Sequence, residues 1–341
     1  MPDTDVPVSR ERLLEMMTAF KSTYLLRAAI RLGVFDALAA GPADPDDVAA
    51  MLRADARGTR VLLRALAAAG LLKADGEQFT LPEGARELLV TSSPQYAGGV
   101  VDVASSDWEW DAMRDLAEVV RNGGTLLDAN GESADFPYWA DFATHLTFAT
   151  RPGAAFVADT VLPWAKERES LDVLDVGCGH GLFGFALAEG DPRATVTCLD
   201  WPKVLDVARR HAERAGLGDR VRYLAGDAFE VEPDGTYDVV VLGNFLFQFS
   251  ARRCVELVRR LAGRLKPGGR VVVVGFTTEN GPPAADYHAH MLNLLMLAWT
   301  REGELHSTAM YRKILASAGL TDPSTAERPG LPLRIVLGHQ A

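Results

Sequence analysis

Residues 171–190, LDVLDVGCGHGLFGFALAEG, constrain the fold of this chain more than any other stretch. The run Leu171 to Val176 is apolar enough for a buried parallel strand, and it passes directly into closely spaced glycines and then into helical composition from Leu182 to Ala188. Gly177, Gly179 and Gly181 tolerate positive φ and let backbone N–H groups approach a ligand. The next apolar run, ATVTCLD, ends on Asp200, where a carboxylate can accept both hydroxyls of a ribose. Together these features describe a nucleotide-type cofactor site.

Gly179, Gly181 and Gly184 also satisfy the spacing of a dinucleotide-binding loop, a weak signal when it stands alone. Two features argue against that reading. Asp175 lies two residues before Gly177, where an acid can meet the ammonium of an amino-acid-bearing cofactor but would repel a pyrophosphate. After the third apolar run, VRYLA, comes Gly226-Asp227-Ala228-Phe229, an acid and an aromatic suited to the N6 edge and the face of an adenine.

With DVGCGHG at 175–181, LDWPKV at 199–204, GDAF at 226–229, NFLFQF at 244–249 and LKPGGRVVVVGF at 265–276, the chain resembles class I S-adenosylmethionine-dependent methyltransferases. The N-terminal strings AIRLGVFDAL, DPDDVAAMLRAD and RVLLRALAAAGLL narrow the resemblance to small-molecule O-methyltransferases with a winged-helix dimerisation domain. The resemblance implies an α/β fold, a Rossmann-like doubly wound domain preceded by a mostly helical one. Expected boundaries are 1–100 for the winged-helix dimerisation domain, 101–170 for a helical linker and cover, and 171–341 for the methyltransferase domain.

The same resemblance implies S-adenosyl-L-methionine as cofactor, held by Asp175, Gly177, Gly179, Asp200, Trp201, Asp227, Ala228, Phe229 and Asn244. It places Trp139, Phe142, Leu146, Phe247, Met291, Leu292 and Met296 around the acceptor. Asp175, Gly177, Asp200, Asp227 and Asn244 all fall at the carboxyl ends of apolar runs, the edge where α/β sheets bind ligands. Five turn formers would explain each residue singly but not their shared edge. Residues 122–139, rich in Gly, Asn and Asp, read as the hinge between domains, followed by a helix interrupted near Pro152.

The catalytic positions depart from the family pattern. Relatives read Asn-x-Leu-His after the fourth strand, and the His deprotonates the acceptor hydroxyl. Here the segment is Asn244-Phe245-Leu246-Phe247, so the His position carries no lone pair. The acid common after the fifth strand is replaced by Gly275, and no His-Asp pair is present for a metal. His288, His290 and His145 remain as replacement bases, each weighed against a structural role. Methyl transfer tolerates this loss, because alignment alone is worth effective molarities of about 10⁵ to 10⁸ M and a base about 10² to 10⁴.

The function read from sequence is therefore methyl transfer to an aromatic or polyketide-like small molecule, O-methylation first, with N- or C-methylation raised by the missing His. Two readings from other classes are an S-adenosylmethionine-binding enzyme that transfers no methyl and a winged-helix regulator with a ligand-sensing domain. LLKADGEQFTLP resembles a wing turning at Asp75-Gly76, and Val61–Ala69 a helix before it. A net charge of −11, with only Arg57, Arg60 and Arg64 as cations on the recognition region, argues against nucleic acid.

The apolar stretch LLEMMTAFKSTYLLRAAIRLGVFDALA has apolar residues on nearly every face, which predicts burial against a second copy, a homodimer. Cys178, Cys198 and Cys254 are odd in number, without paired spacing, and read as buried thiols of a cytoplasmic protein. No apolar stretch is long enough for a signal core or a membrane span.

Overall fold

A computed structural model describes residues 8–128, 130–134, 136, 138–279 and 281–341. The chain divides into two compact units, residues 5–110 and 111–341.

The first unit is helical with a small wing. Ser9 caps helix Arg10–Thr18, and a second helix, Phe20–Leu32, ends on Gly33 at φ +77°. Asp44 caps Pro45–Leu52 by accepting from the N–H groups of Asp46 and Asp47, with Pro45 preset for the first helical position. Asp55 caps Ala56–Ala68, so this helix starts five residues before the sequence reading placed it. The strands β1 (Lys73–Asp75) and β2 (Gln78–Thr80) form the antiparallel wing. Val34, Phe35, Leu38, Leu63, Leu66 and Phe79 build its core. Leu13, Leu14, Met16, Met17 and Phe20 lie exposed along the first two helices. Arg60 and Arg64 are held in surface ion pairs with Asp46 and Glu77, which further dilutes any cationic face on this unit.

The second unit is built on a seven-stranded sheet comprising β3 (Leu171–Val176), β4 (Ala194–Asp200), β5 (Val221–Ala225), β6 (Tyr237–Gly243), β7 (Leu265–Phe276), β8 (Thr321–Glu327) and β9 (Leu333–His339). Their order is β5-β4-β3-β6-β7-β9-β8. The five parallel strands match the alternation read from sequence, but β9 runs antiparallel to β7 and β8 antiparallel to β9. This C-terminal pair escaped the sequence reading because β8, TDPSTAE, is largely exposed and carries no apolar alternation. Helices Thr147–Ala165, Leu182–Gly190 and Pro202–Arg214 cover one face, and Ala251–Ala262 and Thr308–Ser317 the other.

The order in which strands are added reverses between the parallel neighbours β3 and β6, and such a switch point opens a crevice at the strands' carboxyl ends. Two local expectations need correction. Thr147–Ala165 runs unbroken through Pro152, while the interruption falls at Leu146, between it and Tyr138–His145. Pro152, the sixth residue of this helix, lacks the N–H that would bond Phe148 C=O, and the helix continues past it. The segment 122–139 lies inside the second unit rather than at the division between units; Ala129, Asp135 and Pro137 of it lie outside the described residues. It is pinned there: Thr125 N–H donates to Thr300 C=O, and Gly131 N–H to Trp299 C=O at 2.8 Å.

Candidate active site

The turn after β3 is shaped by residues that only glycine can satisfy. Gly177 has φ +62°, and a side chain there would collide with the Phe245 ring. Gly179 has φ +56° with open space where a side chain would project, so the loop's backbone faces a cavity. Gly179 N–H donates to Asp200 Oδ2 at 2.8 Å, and Trp201 N–H donates to Asp200 Oδ1 at 2.7 Å. Each carboxylate oxygen keeps a further lone pair for a ligand hydroxyl. Burial pushes the Asp200 carboxyl up to about 6.

A cavity of about 80 Å³ opens beside Asp200, lined by Gly226, Asp227, Ala228, Phe229, Phe249 and Arg253 among others. Asp227 Oδ1 accepts from Phe229 N–H, which leaves its second oxygen for a donor in the cavity. Phe229 meets Phe249 edge to face at 4.8 Å. The Arg253 guanidinium lies 4.3 Å from the Phe229 centroid and 5.0 Å from that of Phe249, and is paired with Glu132 at 2.5 Å. Glu132 Oε1 also accepts from Arg301 N–H. Glu132 thus straps the 130–133 loop across this cavity.

A second cavity, of about 260 Å³, shares Gly177, Asp200, Trp201, Phe245 and Gln248 with the first. Its walls are mostly apolar. Trp139, Phe142 and Leu146 come from the segment before helix Thr147–Ala165, and Leu292, Leu295, Met296 and Trp299 from helix Tyr287–Trp299. Tyr138 and Trp299 rings meet at 4.3 Å, and Trp139 and Trp299 at 6.3 Å, edge to face. Asn244, at φ +50° beyond β6, has a buried Oδ1 with no hydrogen-bond partner. A side chain at Gly275 would approach that oxygen to 3.1 Å, so Asn244 occupies the space left by the absent fifth-strand acid.

A pocket walled by Asp200, Asp227 and Phe229 that adjoins an aromatic chamber is the arrangement expected of methyl transfer to a small molecule. Residues 114–321 match the family profile of the O-methyltransferase domain, and residues 14–91 that of the O-methyltransferase dimerisation domain. The chain belongs to the O-methyltransferase family. It is 30% identical over 331 residues to acetylserotonin O-methyltransferase of Mus musculus, covering 91% of this chain and 83% of that one. It is 27% identical over 338 residues to the tetracenomycin polyketide synthesis 8-O-methyl transferase of Streptomyces glaucescens, covering 96% of each. A solved structure of a candidate O-methyltransferase from Nostoc punctiforme superposes with a TM-score of 0.88 at 28% identity, over 98% of this chain and 100% of that one.

The methyl donor of this O-methyltransferase is S-adenosylmethionine, and the residues present fit it: an open glycine cradle, Asp200 with spare lone pairs, and an orphaned Asn244 oxygen. Of the nine expected cofactor residues, Asp175 stands apart. It is fully buried, with Oδ2 accepting from Gly184 N–H at 2.9 Å, and it lines neither cavity. Desolvation raises it to about 7. Its Oδ2 thus ties β3 to helix Leu182–Gly190, while its Oδ1 is buried with no hydrogen-bond partner.

None of the three replacement bases lines the acceptor cavity. His288 shares the face of Leu292, Leu295 and Trp299 but is exposed one turn before the cavity begins. His290 and His145 are half-buried elsewhere, His290 with an unpartnered Nε2. Met291, expected in the acceptor wall, is 44% exposed and does not line the cavity. Phe247 does line the cavity.

The histidine that does reach it is His180, inside the glycine loop, which spacing alone reads as part of a turn. Leu182 N–H donates to its Nδ1, so Nε2 carries the proton and donates to Thr150 Oγ1 at 2.9 Å. Thr150 in turn donates to Leu146 C=O. Burial, with His211 and Arg151 nearby, lowers His180 to about 3. It is a neutral, fully engaged side chain and cannot accept a proton without breaking the Leu182 bond. Also beyond the sequence reading are Glu132, Arg253, Cys178, Phe183, Phe276 and Leu331–Leu333; the last precede and begin β9, where no apolar period signals a ligand wall.

Among the described residues no group of acids, histidines or cysteines is placed to hold a metal ion. Cys178 lines the cavity, but burial raises its thiol far above neutrality. No helix among them is long and apolar enough to cross a membrane.

Proposed function

We propose that this O-methyltransferase methylates a hydroxyl of an aromatic or polyketide-like acceptor, with alignment rather than a general base carrying the catalysis. The observation behind this reading is an aromatic chamber that abuts the cofactor pocket yet offers no free base: Phe247 stands at the usual His position, and His180 is locked neutral. Bound there, S-adenosylmethionine supplies a methyl already activated by the sulfonium charge. Asp200 holds the ribose, and Asp227 with Phe229 holds the adenine. Asn244 accepts a hydrogen bond beside the reacting groups. Trp139, Phe142, Met296 and Trp299 orient the acceptor ring and exclude water. The acceptor proton leaves to solvent, so the acceptor is a hydroxyl acidic enough to ionise near neutral pH. The same reasoning favours an amine or an enolisable carbon as the second reading, since neither needs a base held at residue 247.

The exposed apolar run Leu13, Leu14, Met16, Met17 and Phe20 supports a homodimer through the first unit, and three buried, unpaired cysteines support a reducing, cytoplasmic setting. The test is incubation with methyl-labelled cofactor and a panel of acidic phenols, hydroxyquinones, amines and β-dicarbonyls. Label on oxygen of an acidic phenol is expected. Label on nitrogen or carbon replaces the O-methyl reading, and turnover only after a divalent metal is added overturns the alignment mechanism.

A further inference from the structure

On the far side of the glycine loop from the acceptor chamber, helices Thr147–Ala165, Leu182–Gly190 and Pro202–Arg214 enclose a groove of about 780 Å³. One end carries Arg151, His211 and Arg214. Neither arginine forms an ion pair among the described residues, although the chain has a net charge of −11. The floor running away from this end is apolar: Ala154, Ala155, Ala158, Leu162, Phe185 and Ala186. Two acids also line the groove, Glu189 and Asp159, neither ion-paired with Arg151 or Arg214 among the described residues, and Asp159 is eight residues beyond Arg151 on one helix, about 12 Å. Glu189 is seven residues beyond Leu182 on one helix, about 10 Å at 1.5 Å per residue, and Asp159 is already engaged by Arg328 at 2.7 Å.

We propose that this groove is a second ligand site, separate from the methyl-transfer cavity, for a molecule with an anionic head, carboxylate or phosphate, and an apolar tail. Two guanidiniums and an imidazole converge on the head, and planar guanidiniums suit either oxyanion. The alanine floor leaves room for a straight chain, where larger side chains would close it.

The site is wired to the catalytic loop. His211 Nδ1 lies 3.2 Å from the His180 carbonyl oxygen, and Arg151 directly follows Thr150, the partner of the His180 ring. A head group that orders Arg151 and His211 therefore acts on both holds of His180, and the affinity of the loop for the cofactor product changes with it, reciprocally.

Calorimetry on the full chain with four probes tests the proposal: decanoate, decyl phosphate, decanol and inorganic phosphate. Decanoate and decyl phosphate are expected to bind at least tenfold more tightly than decanol or phosphate, and the tighter of the two names the head group. Arg151→Gln with Arg214→Gln should weaken both at least tenfold. Ala155→Trp should block the tailed probes. All three positions are exposed, so thermal unfolding of the variants should match the parent. Equal binding of decanol, or decanoate binding unchanged in either variant, overturns the site, because the probe then occupies the acceptor chamber. S-adenosylhomocysteine affinity unaltered by saturating decanoate overturns the link to the loop.

Discussion

The cofactor half and the acceptor half of the site are built on opposite principles. The cofactor half is a set of strand ends: Gly177 and Gly179 follow β3, Asp200 closes β4, Asp227 follows β5 and Asn244 follows β6. Its geometry is fixed by short backbone hydrogen bonds, Gly179 N–H and Trp201 N–H to Asp200 and Phe229 N–H to Asp227. The acceptor half has almost no hydrogen bonds of this kind. It is assembled from ring contacts among Tyr138, Trp139, Phe142 and Trp299, supplied by segments more than 150 residues apart in sequence. Backbone-directed polar contacts are intolerant of change in residue type, whereas apolar walls tolerate exchange at constant volume. A family can thus keep one half and vary the other.

The largest test of this contrast is Trp299→Ala. Trp299 is essentially fully buried at the centre of the ring cluster, so truncation is expected to cost about 3–5 kcal/mol in stability and to enlarge the chamber, while the cofactor pocket keeps its bonds. Denaturant unfolding and cofactor calorimetry on one sample separate the two; a collapse of cofactor affinity together with stability would show that the halves are not independent.

Next comes Asp200→Ala, which should weaken S-adenosylhomocysteine by about 1.5–3 kcal/mol through lost charge-assisted hydrogen bonds and leave NAD without measurable heat. Tight NAD binding would reverse the cofactor assignment.

A smaller effect follows from pH. With Asp200 raised to about 6, cofactor affinity should hold above that value and fall as pH drops through it, by about tenfold at pH 5. Stability has the opposite sign. Asp175 and Asp200 titrate higher in the folded state than in the unfolded chain, so their protonation favours the fold at low pH, and that contribution is lost as pH rises through about 6 to 7. Asp175→Asn keeps an acceptor for Gly184 N–H without the buried charge, so it should raise the melting temperature more at pH 8 than at pH 5. Equal shifts at both values would mean that Asp175 is already ionised in the fold at pH 5, and that burial does not raise it.

The smallest expected effects are those of His145→Ala, His288→Ala and His290→Ala on kcat, within about threefold each. None lines the chamber, and a base in use contributes about 10² or more. A loss of that size would identify a base brought in by movement of its helix, Tyr138–His145 for His145 and Tyr287–Trp299 for His288 or His290.

By itself the sequence settled the positions of the parallel strands along the chain, the glycine turn and the carboxylates at one edge of the sheet. Each of these is written within a few residues: an apolar run, a glycine where φ is positive, an acid where a strand stops. It also showed Phe247 in place of a base. Asp175 belongs to the same local pattern, yet the bond of its Oδ2 to Gly184 N–H depends on how helix Leu182–Gly190 packs on β3. His288 and Leu292 occupy one helical stripe, and only the position of that helix against the sheet decides that the chamber starts at Leu292. Likewise His180 becomes a chamber wall, and Glu132 and Arg253 a clasp over the adenine pocket, through contacts between segments up to 121 residues apart. Local pattern specifies backbone conformation, because φ, ψ and strand burial are set by near neighbours. Where a side chain points, and what it meets there, is decided by packing between distant elements, and tertiary structure alone supplies that.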